Sequence, residues 1–244
     1  MKVAVTISGL PRFTKDFDDL LESLQDYDQI DWFFYLWTDG TDQFVPPIWN
    51  TMNVDEMRAK IESNLPQGHR IAHLSLNEIP EYKVEREPPQ NPWTVIKGVW
   101  YMHLGFKQVN QVREQYEKEN GVYDIVVRAR TDVGITPISL RQSYEYIAKN
   151  PNTILMPSNN KITQFRVSDL TALGSSRAMS VYSNMFDYML GYHDRGVLYH
   201  PETLTGYHLQ VNGITAPDVS ELDFHIYLRS HKMSDGSMDF GRWG

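Results

Sequence analysis

The chain has 244 residues, 41% of them hydrophobic, 12% aromatic and 22% charged, with no cysteine and a formal net charge of −8. A globular chain of this size buries roughly 73% of its unfolded surface, and the missing cysteines exclude a disulfide scaffold, a thiolate metal site and cysteine catalysis. The acidic balance argues against non-specific nucleic-acid binding, and no apolar run nears the ~20 residues of a membrane span.

No charged-then-apolar signal segment opens the sequence, so a soluble, cytoplasmic domain of the α/β or α+β class is expected. Val3 to Ile7 is a β-branched run that reads as a buried strand, broken at Gly9 and Pro11. Phe13, Phe17, Leu20, Leu21 and Leu24 then recur at helical spacing. Trp32 to Trp37 is a second apolar run, ended by Thr38-Asp39-Gly40. Asn53 followed by Glu56 has the form of a capping box and predicts a helix to about Asn64. Arg70 to Leu76 reads as a third strand.

This strand–helix rhythm with short joins predicts a mostly parallel sheet flanked by helices. The stretch from Ile79 to Pro92 holds four prolines and five charged residues, as an exposed loop would. A long helix is predicted from Trp93 to about Asn120, with Val95, Val99, Met102, Phe106, Val109 and Val112 on one side and Gly121 as its stop. Tyr123 to Val127 is a continuous apolar run, as in a central strand. Further on, Ser139–Lys149 and Ser175–Leu190 read as helices, and Ile154–Pro157 and Gln164–Leu173 as strands. His200-Pro201-Glu202 opens a short helix closed by Gly213, Phe224–Leu228 is a late strand, and the last dozen residues, rich in Gly, Ser and Met, are expected to form a mobile tail.

The most informative segment is Arg128-Ala129-Arg130-Thr131-Asp132, directly after the central strand. In an open α/β sheet, ligands sit outside the carboxyl ends of the strands. Asp132 there offers the hard oxygen that Mg²⁺ or Mn²⁺ prefers, and the two arginines offer fixed donors to phosphate oxygens. The alternative is a solvent-exposed salt-bridge cluster at a strand end. Ser8-Gly9-Leu10-Pro11-Arg12 ends the first strand, where glycine lets a ligand approach the backbone and Arg12 can reach a phosphate. It is neither a dinucleotide fingerprint nor a P-loop, lacking the further glycines of the one and the Gly-Lys-Ser/Thr of the other. Lys97 stands at the start of the long helix, whose N-terminus favours anions, although it also suits a surface lysine.

An N-terminal strand ending Ser-Gly-x-Pro-Arg (Ile7 to Phe13), Trp37 near the end of the second strand, a long helix, and Tyr-Asp-x-Val-x-Arg-x-Arg-x-Asp at Tyr123 to Asp132 resemble a group of small GT-A-type glycosyltransferases. These are similar to WavE-like lipopolysaccharide-synthesis proteins and to enzymes encoded in some bacteriophages. Asp169 to Gly174, followed by a helix with Met179 and Tyr182, resembles the strand that lines their donor-sugar pocket; Pro201-Glu202 and Arg229 match further positions. The resemblance implies one Rossmann-like domain over 1–244, with a nucleotide-binding half at 1–132 and an acceptor-side half at 133–244. It implies a nucleotide-sugar donor such as a UDP-sugar, a carbohydrate or glycoconjugate acceptor, and Mn²⁺ or Mg²⁺ held by Asp132. It also implies a cytoplasmic enzyme, in the host cytoplasm if phage-encoded.

The usual Asp-x-Asp of this fold is here Arg130-Thr131-Asp132. Further metal ligands would be water or one of His208, His225 and His231. Asp169 and Glu202 are the carboxylates expected in catalysis, as general base or in binding sugar hydroxyls. Trp37, Trp49, Trp93 and Trp100 are candidates for stacking on a sugar or a base, or for the core. Asp39 and Asp42 lie in a Thr-Asp-Gly-Thr-Asp stretch that falls short of a calcium loop and suits a turn. The competing readings are a sugar-nucleotide nucleotidyltransferase, disfavoured by the absent Gly/Lys-rich loop, and a non-catalytic carbohydrate-binding module, disfavoured by the strand–helix alternation.

Overall fold

The computed structural model describes residues 1–38, 47–84, 88, 95–135, 139–156, 167–217 and 226–227. Its strands are β1 (Val3–Gly9), β2 (Ile30–Thr38), β3 (Arg70–Glu78), β4 (Ile125–Ala129), β5 (Gly134–Ile135), β6 (Ile154–Leu155), β7 (Ala172–Gly174) and β8 (Ile226–Tyr227). Its α-helices are α1 (Asp16–Leu24), α2 (Pro47–Thr51), α3 (Val54–Glu62), α4 (Ile96–Asn120), α5 (Leu140–Lys149), α6 (Ser176–Ser183), α7 (Met189–Asp194) and α8 (Pro201–Val211). Six strands form one sheet in the order β3-β2-β1-β4-β7-β6, and β5 pairs with β8 in a small second sheet. The pairs β1–β2, β1–β4 and β2–β3 are parallel, whereas β4–β7 and β6–β7 are antiparallel. The expected class, a mostly parallel sheet flanked by helices, is what the chain forms.

Alternation along β1 divides the core into two layers. Val3, Val5 and Ile7 join Trp32, Phe34 and Leu36 of β2 in a layer closed by α1, α3 and α5. Ala4 and Phe33 face the other way, toward Phe106 and Val109 of α4, Met179 and Tyr182 of α6, and Leu209 of α8. A third cluster joins the start of α4 to Met185, Met189, Tyr199 and Leu204. No helix among the described residues is long and apolar enough to cross a membrane.

Local signals act where they were expected. Asn53 accepts from the backbone N–H groups of Asp55 and Glu56 while Glu56 accepts from that of Asn53, closing the capping box. Gly121 ends α4 at φ 82°, a conformation that favours glycine. The differences come later in the chain. The helix expected over Ser175–Leu190 is α6, then a 3₁₀ turn at Asn184–Asp187, then α7. Of the strand expected over Gln164–Leu173, only Ala172 and Leu173 are strand among the described residues, within a β7 that runs on to Gly174. Trp93, Asp39, Asp42, His225, Arg229, His231 and the tail lie outside the described residues.

The expected apolar face of α4 is also more polar than its pattern suggests. Val99, Phe106 and Val109 are buried, but Val95 is 76% exposed, and His103, Asn110, Arg113 and Glu117 are buried instead. Arg113 explains much of this. It is fully buried, donates to Asn110, Ser176 and Ser180, and pairs with Glu117 at 2.8 Å, tying α4 to α6.

Candidate active site

The strand order reverses around β1: β2 and β3 lie to one side and β4 to the other. Such a switch point leaves a crevice outside the carboxyl ends of the strands, because the connections on either side turn to opposite faces. A cavity of about 540 Å³ opens there. Ser8, Gly9, Leu10 and Arg12 line it from the end of β1, Trp37 from β2, and Arg128, Arg130, Thr131 and Asp132 from the end of β4. Val99, Met102 and Phe106 of α4 form its apolar wall, and Asp169 and Pro201 complete it.

Close packing holds these walls in place. Gly9 has φ 112°, which an L side chain rarely adopts, so the turn out of β1 depends on glycine. α4 crosses the small face of β1, and a Cβ on Gly105 would lie 3.0 Å from Ser8 Oγ and 3.2 Å from Ser8 Cβ. That approach is what brings Phe106 and Met102 to the cavity. The Thr14 N–H donates to the Thr131 carbonyl at 3.0 Å, linking the Arg12 turn to the Arg130–Asp132 turn.

The electrostatics of the cavity are those of arginine. Arg128 is 3% exposed; it donates to the carbonyls of Asp169 and Leu170 and lies 3.8 Å above the Phe106 ring. Its Nε is buried with no hydrogen-bond partner. Burial, reinforced by the like charge of Arg130, lowers its pKa to about 10, so it remains a cation at neutral pH. Arg130 donates from Nε and from a terminal nitrogen to the two oxygens of Asp132, both at 2.7 Å. Burial raises the Asp132 pKa, but the Arg130 charge and hydrogen bond, with Arg12 and Arg128 nearby, outweigh it and hold the carboxylate below its ordinary value.

Of the residues singled out in the sequence, Ser8, Gly9, Arg12, Arg128, Arg130, Asp132 and Asp169 meet around this one cavity. Pro11 is buried beside them but does not line it. Lys97 does not line it either: the lining positions at the start of α4 are Val95, Gly98 and Val99, and Lys97 holds its ammonium 5.4 Å from the Tyr82 ring. Glu202 sits one residue beyond the lining Pro201, its carboxylate 2.8 Å from the His200 ring. His208 is a core histidine, its ring nitrogens engaged by Tyr192 Oη and the Val181 carbonyl, both at 2.8 Å. Among the described tryptophans, Trp37 lines the cavity; Trp49 stacks on Phe13 in the core, and Trp100 packs on Phe186 and Tyr82. Phe106 had been legible only as a core position, because the helical period does not reveal a cation above its ring.

The described residues do not fit a divalent ion at this place. Both Asp132 oxygens accept from Arg130, and no group of three His, Asp or Glu side chains among the described residues could hold a metal. The Arg130–Asp132 ion pair thus forms part of the cavity lining.

No protein-family model matches this sequence, and no curated protein does. Among solved structures, the crystal structure of S. aureus TarS 1–349 is similar over 87% of this chain and 56% of that one, at 13% identity and a TM-score of 0.40. The chain thus spans just over half the length of that neighbour.

Proposed function

We propose that the protein is a glycosyltransferase whose cavity takes a nucleotide-sugar donor, a UDP-sugar being the form tested first, and passes the sugar to a carbohydrate or glycoconjugate acceptor. The observation that carries this reading is the convergence of Arg12, Arg128 and Arg130 at the switch point of the sheet, in a cavity that also holds an aromatic and an acidic side chain. Breaking the bond between the anomeric carbon and the phosphate oxygen leaves negative charge on the departing diphosphate. Fixed guanidinium groups stabilise that charge where it develops, with little reorganisation. The N-terminus of α4 adds to the same field: Val95, Gly98 and Val99 line the cavity, no acidic residue occupies the first turn, and among the described residues no side chain caps it. α1 lacks this property, since Asp16, Asp18 and Asp19 crowd its first turn.

Among the carboxylates, Asp169 is assigned to the acceptor or to the donor sugar hydroxyls, because it lines the cavity. Glu202, paired with His200, is assigned a supporting place at its edge. The test is titration of UDP into the wild-type chain and into Arg128→Met, followed by UDP-sugar turnover. Charge-assisted hydrogen bonds of this kind predict binding about 10- to 100-fold weaker in the variant. Equal binding by both proteins would move the nucleotide out of this cavity.

A further inference from the structure

The bonded Arg130–Asp132 pair has a consequence for how the leaving group is neutralised. A site built around a divalent ion and a diphosphate presents carboxylates to the ion, so its protein part is acidic. Here the described lining residues hold three arginines against two aspartates, an excess of one positive charge. The carboxylate at the strand end is bonded through both oxygens, so an ion there would have to displace a bidentate guanidinium held at 2.7 Å. Behind it, the Arg128 Nε is a buried donor without a partner in a side chain 3% exposed. Three like charges converging on one cavity repel each other, and an anion among them relieves that repulsion.

We propose that a nucleoside diphosphate is held in this cavity by Arg12, Arg128 and Arg130 without a divalent cation, and that Asp132 is the counter-ion of Arg130 rather than a metal ligand. This rests on the glycosyltransferase reading and specifies its leaving-group chemistry. In the transfer step, the C–O bond electrons pass to the β-phosphate oxygen. The new charge meets guanidinium N–H donors, and the acceptor oxygen forms the new C–O bond to the anomeric carbon as its proton passes to the Asp169 carboxylate, which lines the cavity.

The two roles for Asp132 predict opposite signs. A metal ligand replaced by asparagine weakens diphosphate binding; a carboxylate removed from an arginine-lined anion site strengthens it. The experiment is calorimetric titration of UDP, and separately of inorganic pyrophosphate, into the wild-type chain, Asp132→Asn and Arg130→Gln, each in EDTA and again with Mn²⁺ or Mg²⁺. The expected results are a wild-type Kd equal in EDTA and in metal to within about twofold, Asp132→Asn tighter in EDTA by roughly threefold or more, and Arg130→Gln weaker by about tenfold or more. Binding that requires the metal, or that is lost in Asp132→Asn, overturns the inference and leaves the glycosyltransferase reading standing. No UDP binding under either condition overturns both.

Discussion

A single side chain, Arg113, shows how much of this protein depends on charge hidden in the core. Its guanidinium is fully buried and bonded to Asn110, Ser176 and Ser180, with Glu117 as counter-ion. Burial alone lowers its pKa, and Glu117 and Glu114 oppose that, so the ion pair survives only as a complete network. Arg113→Ala is therefore expected to cost about 3–5 kcal/mol, because it leaves the Glu117 carboxylate, still bonded to the Tyr123 N–H and the Ser176 hydroxyl, without its counter-ion. Arg113→Met combined with Glu117→Leu should recover much of that loss. Denaturant unfolding of the two variants checks both statements. Arg128 is the opposite case: it too is buried, but it lines the cavity and keeps an unpartnered donor.

At the scale of elements, the contact of α4 with β1 controls the shape of the cavity. Alanine in place of Gly105 gains helix propensity, roughly 1 kcal/mol, but its Cβ meets Ser8 and comes 3.5 Å from the Trp37 ring. Ser8 pairs with Tyr35 of β2 and follows Ile7, the last β1 residue paired with β4, so its freedom to withdraw is limited. Gly105→Ala is expected to lower UDP affinity while leaving the melting temperature near that of the wild type. Gly105→Val should lower both. Titration beside thermal unfolding separates the two effects. None of this was legible in sequence: a glycine inside a helical pattern is ambiguous until the strand beneath it is known. The capping box at Asn53 and the Gly121 stop were legible, since each is a local arrangement of a few neighbouring residues.

For the whole molecule, the clearest expectation concerns acid. His69, His73, His103 and His208 all have pKa values lowered chiefly by burial, and His103, with both ring nitrogens unpartnered, lies well below its ordinary value. The folded chain resists protonating them, whereas the unfolded chain takes up protons as pH falls through about 6.5. Below that pH the unfolded state binds more protons, so stability falls as pH drops. The melting temperature should decline progressively from pH 7 to 5, and His103→Phe should flatten that slope if the variant folds. A melting temperature constant over that range would show that these histidines are protonated alike in both states.

The sequence by itself determined the parallel β1–β4 frame, the caps and the segments that carry Arg12, Arg128, Arg130 and Asp132, because strand runs, helical periods and capping boxes are written in adjacent residues. It also placed the arginine cluster after a central strand, where ligands collect. Only the tertiary structure decided that Lys97 turns away, that His208 is a core residue and that Asp132 is bonded to Arg130. The direction of a side chain and the partner it meets depend on packing between segments that lie far apart in the chain, as when Arg128 reaches the carbonyls of Asp169 and Leu170. Spacing within either segment alone carries no record of that meeting.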